Sequence, residues 1–112
     1  MTLKVEFTPY FEKSLLKLAR RFPTVLDDLN GLIRLIETGN TPGDKIPHIE
    51  YSVFKVRLPN RSARKGKSGG FRVIYYVQTA DLTVMITIYS KSDQTDISPN
   101  QLRALIEEYQ RK

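Results

Sequence analysis

"RKGKSGGFRVIYYV", residues 64–77, admits two readings with different folds behind them. Gly66-Lys67-Ser68 matches the end of a phosphate-cradling nucleotide loop, in which backbone N–H groups and a lysine hold the phosphates. That motif needs a glycine five residues before Gly66, where the chain has Arg61, and it needs a helix directly afterwards. Phe71-Arg72-Val73-Ile74-Tyr75-Tyr76-Val77 is instead rich in β-branched and aromatic residues, which fit a pleated strand. The stretch therefore reads as a basic, glycine-containing loop feeding a strand, and an α/β nucleotide-binding fold is set aside.

The rest of the chain agrees with a small domain. Its 112 residues suit one domain with a modest core, and 40% of them are hydrophobic. No low-complexity tract, repeat or bilayer-length apolar run interrupts the sequence. "MTLKVEF" runs straight into an alternating pattern without the charged leader and apolar segment of a signal peptide, so a cytoplasmic protein is expected. Cysteine is absent, and the single histidine, His48, cannot build a transition-metal site alone, so neither thiol chemistry nor a metal or other cofactor is expected.

Eighteen basic and twelve acidic residues leave a net charge of +6. The surplus is concentrated: between Tyr51 and Ala80 stand Lys55, Arg57, Arg61, Arg64, Lys65, Lys67 and Arg72, without one Asp or Glu. Such a run is the electrostatic footprint of a polyanion binder, most commonly of nucleic acid; a solvated basic surface and an acidic protein partner are the other readings.

Leu3, Val5 and Phe7 alternate with polar residues as in a short strand. Thr8-Pro9 is a helix start, with threonine as N-cap and proline where its missing N–H is harmless. Phe11, Leu15, Leu18 and Phe22 form the apolar stripe of that helix. Pro23 begins a second helix with the stripe Leu26, Leu29, Ile33 and Ile36 and Gly39 near its end. Residues 40–52 read as a surface connection, and His48 within it as a structural or surface residue.

Three strand signals follow. In "SVFKVRL", Phe54, Val56 and Leu58 share one side, which turns Lys55 and Arg57 to the other. In "GFRVIYYV", Phe71, Val73, Tyr75 and Val77 leave Arg72, Ile74 and Tyr76 opposite. In "LTVMITIYSK", Val84, Ile86 and Ile88 form the apolar set, with Met85, Thr87, Tyr89 and Lys91 alternating. With the apolar side against the helices, the opposite side presents Lys55, Arg57, Arg72, Tyr76, Tyr89 and Lys91 as one groove. Ser98-Pro99-Asn100-Gln101 has the form of a capping box before a third amphipathic helix with Leu102, Leu105, Ile106 and Tyr109. The order β-α-α-β-β-β-α gives an α+β domain with a helical hairpin on one face of an antiparallel sheet.

A groove of cations and aromatic rings can cleave RNA when the substrate's own 2′-hydroxyl is the nucleophile. Arg72, held in mid-strand, suits a clamp on the phosphoryl oxygens, where negative charge grows during attack. A lysine crowded by other cations, Lys55, Lys67 or Lys91, suits the proton-transfer roles. Tyr76 and Tyr89 suit base stacking or proton transfer, and Arg61, Arg64 and Lys65 suit phosphate contacts. No serine-histidine-acid set and no pair of carboxylates facing the groove is visible in the sequence.

"RKGKSGGFRVIYY" followed by "ITIYSKSDQTDIS" resembles the RelE/ParE superfamily of bacterial toxins, in its HigB-type branch, over nearly the whole chain. The resemblance implies a compact α+β toxin of a type II toxin-antitoxin system. Such a toxin enters the A site of the 70S ribosome, cuts mRNA there without a metal, and is held inactive by a cognate antitoxin encoded beside it. By this likeness Lys55 and Arg57 in "FKVRL" match the paired basic positions of the family's second strand, and Arg72 matches the arginine of its G-x-R-hydrophobic-x-Tyr strand. Typical members carry an arginine after the last strand and a tyrosine a few residues on. This chain has Ser92 and then "DQTDIS", which leaves that arginine's role to Lys91 or to Arg64, Lys65 and Lys67. ParE-type relatives inhibit DNA gyrase without cutting RNA, and a non-catalytic RNA-binding module of this fold is a third reading.

Overall fold

The structure is a computed structural model that describes residues 3–59, 70–93 and 96–111. Its elements are β1 (Lys4–Phe7), α1 (Pro9–Arg21), α2 (Val25–Glu37), β2 (Asp44–Lys45), β3 (Val53–Leu58), β4 (Phe71–Thr79), β5 (Leu82–Ser90) and α3 (Pro99–Gln110). The five strands form one sheet in the order β1-β5-β4-β3-β2. This is an α+β domain, as the chain's pattern predicts, but the sheet is mixed: β1 pairs in parallel with β5, whereas the other neighbours are antiparallel. Strand β2 is an addition to the expected order; a two-residue pairing is too short to leave a periodic signal in sequence.

Local signals set the helix starts. Thr8 caps α1 by accepting a hydrogen bond from the Phe11 N–H at 3.0 Å, and its hydroxyl donates to the Ile86 carbonyl, also at 3.0 Å. One side chain thereby ends β1, begins α1 and ties both to β5. Ser98 and Gln101 form the reciprocal capping box of α3. Helix α2 begins at Val25, not Pro23, and buries Val25, Leu29, Leu32 and Ile36. Leu26, expected in the core, is 47% exposed, because the helix turns Val25 and Leu32 inward and so rotates its buried stripe by about one residue.

Both faces of the sheet are used. On one, α1 and α2 pack over Leu58, Phe71, Val73, Tyr75, Met85 and Ile88. On the other, Leu102 and Ile106 of α3 pack over Val53, Ile74, Tyr76, Val84 and Ile86. The expected grouping of Val84, Ile86 and Ile88 on one face does not occur. Ile74 pairs with Thr87 but Tyr75 with Met85, so Ile86 is an extra residue and the alternation of β5 changes phase across this bulge. Met85 and Ile88 consequently share the hairpin core, and Val84 and Ile86 lie beneath α3.

Candidate functional site

Helix α3 covers only part of its face of the sheet, and the uncovered end holds the cations. Lys55 and Arg57 from β3, Arg72 from β4 and Lys91 just after β5 line one cleft of about 270 Å³, together with Asp44 and Asp96. Strand alternation brings the first three to this side, in agreement with the parity of the sequence. In register, Arg57 stands directly opposite Arg72, and Arg72 opposite Tyr89. Like charges directly across a strand pair destabilise a sheet, so the Arg57–Arg72 pairing is a local cost that an anion bound between them would offset. Arg72 is only 8% exposed, and its Nη1 lies 3.4 Å from the Phe71 carbonyl oxygen. A guanidinium so enclosed is held in a fixed position.

The cleft is not free of acids. Asp96, from the segment between β5 and α3, accepts a hydrogen bond from Lys55 Nζ at 3.0 Å and stands 3.9 Å from Lys91 Nζ. The bond and charge of Lys55, with Lys91 behind it, hold the Asp96 carboxyl below its ordinary value. Lys55 is therefore engaged as an ammonium donor to a carboxylate, and the picture of a lysine surrounded by cations alone does not hold for it. Asp44 arrives from β2, opposite Lys55 in register. Its segment is anchored by Tyr75, whose hydroxyl donates to the Pro42 carbonyl at 2.5 Å while its ring stacks on Phe54. Next to Asp44, Gly43 has φ of +94°, and a Cβ there would run into the carbonyl of Lys55. Two carboxylates thus line a cleft for which the sequence suggested none. Each lies outside the acid-free run that drew attention, and no short-range pattern links them to it.

The aromatic residues divide. The Tyr89 hydroxyl lies 3.5 Å from Asp96 Oδ1, but Tyr89 is buried, does not line the cleft and is not a stacking platform there. Burial first, and then the charge of Asp96, push its phenol up, against the pull of Arg72. Tyr76 is 4% exposed, with its hydroxyl accepting from Gln110 Nε2 at 2.5 Å and its ring edge-on to Tyr51. It belongs to the core under α3, which corrects its expected place in the groove; α3 covers this end of the face that alternation alone would leave open. Arg61, Arg64, Lys65 and Lys67 lie outside the described residues.

His48 is exposed, with φ of 64°, and is absent from the cleft lining. Its segment is pinned to α3 by Arg103, which bonds Glu50 at 2.9 Å. Among the described residues, no helix is long and apolar enough to cross a membrane. Neither a protein-family model nor a curated protein matches the chain.

Proposed function

We propose that the chain is a RelE-like toxin of a type II toxin-antitoxin system, a ribosome-dependent endoribonuclease that cuts mRNA in the A site and is neutralised by a cognate antitoxin protein. The observation that carries this reading is the facing pair Arg57–Arg72, set between Lys55 and Lys91 in one cleft. Four cations against two carboxylates leave the cleft positive. The element order, with a helical hairpin on one face of the sheet and a capped helix at the C-terminal end, supports a RelE-like topology.

In this reading the 2′ oxygen attacks the neighbouring phosphorus and the bond to the 5′ oxygen breaks. Arg72 and Arg57 hold the phosphoryl oxygens, where charge accumulates. The Asp96 carboxylate, already accepting hydrogen bonds at neutral pH, takes the proton of the 2′-hydroxyl, and Lys91 or Lys55 delivers one to the departing 5′ oxygen. Lys55 and Lys91 hold the Asp96 carboxyl below its ordinary value, so it is a weaker base than a free aspartate and would act by its position beside the cations. The ribosome supplies the placement of the strand, which a shallow cleft of this size does not provide alone.

The test is brief expression of the chain in bacteria with mapping of mRNA 5′ ends, beside an Arg72→Ala control. New ends within translated codons, absent in the control, are expected. Growth arrest with intact mRNA and failing DNA replication would sink the nuclease reading in favour of gyrase inhibition.

A further inference from the structure

A second concavity, larger than the cleft, lies elsewhere on the described residues. It is a groove of about 490 Å³ between α1 and the last residues of β5. Beyond Phe7 the partner of β5 on that side is no longer β1 but α1, so the groove follows a strand edge roofed by a helix. From α1 it receives Tyr10, Ser14, Lys17, Arg20 and Arg21, and from β5 Ile88, Tyr89 and Ser90. Arg21 is bridged to Asp93 at 2.6 Å, whereas Lys17 and Arg20 are exposed and have no ion pair with any described residue. Tyr10 is 46% exposed, an uncovered aromatic ring beside uncovered cations.

This groove adjoins the cleft. Tyr89 is a residue of the groove, and its hydroxyl lies 3.5 Å from Asp96 Oδ1, which belongs to the cleft. Ser90 and Asp93 line the groove, and Lys91, between them in the chain, lines the cleft. Cations along a groove with an aromatic side chain are the usual means of holding a single strand of nucleic acid without reading its sequence.

We infer that the groove between α1 and β5 holds the continuation of the RNA strand whose scissile phosphate sits in the cleft, with Lys17 and Arg20 on phosphates and Tyr10 stacked on a base. The inference rests on the nuclease reading for the occupant of the cleft. It adds a set of positioning residues on α1, remote from the chemistry, that govern how firmly the strand is held.

The test uses the purified full chain and two labelled single-stranded RNA oligonucleotides, one of about three nucleotides and one of about ten, within the range of known single-strand sites. The double variant Lys17→Ala/Arg20→Ala, on exposed positions, should weaken binding of the longer RNA by on the order of tenfold and make its log–log salt slope shallower by about 1.4. Binding of the shorter RNA should stay unchanged, whereas Arg57→Ala should weaken both. Tyr10→Ala should weaken the longer RNA without altering the salt slope. An unchanged affinity and slope for the longer RNA in the double variant would overturn the inference, as would wild-type protein that binds a poly-glutamate peptide of equal charge as tightly as RNA. If the nuclease reading alone fails, these binding results stand and only mRNA cleavage is missing; if the groove alone fails, the Arg57→Ala effect remains.

Discussion

Lys55 Nζ on β3 and Asp96 Oδ1 ahead of α3 lie 3.0 Å apart across 41 residues of sequence, and the bond places a carboxylate inside a cationic cleft. Asp96→Asn should separate two effects. RNA binding tightens about threefold, because one negative charge leaves the cleft. Single-turnover cleavage on saturated ribosomes falls by about 10², because the proton acceptor is gone. Unchanged turnover with tighter binding would reassign Asp96 from proton transfer to charge balance.

Arg72 carries its charge on a planar guanidinium fork, enclosed beside the Phe71 carbonyl. Arg72→Lys keeps the charge and loses the fork, and it should slow single-turnover cleavage by about 10² with ribosome affinity little altered. Full activity in Arg72→Lys would mean that only a point charge is needed.

The Arg57–Arg72 opposition predicts a trade between stability and function. Arg57 is the more exposed partner. Removing it in Arg57→Ala should raise unfolding stability by a few tenths of a kcal/mol, as relief of a facing like-charge pair does, while cleavage declines. Denaturant unfolding of the two proteins measures the first effect, and a loss of stability would mean that the aliphatic part of Arg57 outweighs its charge.

Gly43→Ala tests whether β2 positions the cleft. The substitution combines a left-handed backbone with a collision at the Lys55 carbonyl, so it should cost more than about 1 kcal/mol and lower cleavage without changing any charge. A thermal midpoint and cleavage rate equal to wild type would show that the connection adapts.

Stability should form a plateau bounded on both sides. The carboxyls of Asp96, Glu6 and Glu50 are lowered, mainly by Lys55, by Tyr109 and by the backbone with Arg103, respectively. What they contribute is complete above the ordinary values of 3.8 and 4.5 and is lost as pH falls through the lower folded values. At the other end Tyr109 is pushed up to about 12, by burial first and by its bond to Glu6. Its contribution is intact below 10.0 and disappears as pH rises toward 12. Thermal midpoints across pH should decline at both ends, and Asp96→Asn and Tyr109→Phe should each soften one decline.

Residue order alone specifies the parts that depend on near neighbours. Thr8-Pro9 and Ser98-Pro99 set two helix starts, because a cap needs only the next turn of chain. Alternation in "FKVRL" and "GFRVIYYV" turned Lys55, Arg57 and Arg72 to one side, because side chains on a strand repeat every second residue. Long-range packing set what that side contains. The bulge at Ile86 rephased β5, α3 closed over Tyr76, and β2 and the segment before α3 delivered Asp44 and Asp96 to the cations. These outcomes depend on which strand edges meet and where distant segments cross, and contacts made across 41 residues leave no periodic trace in the residues between them.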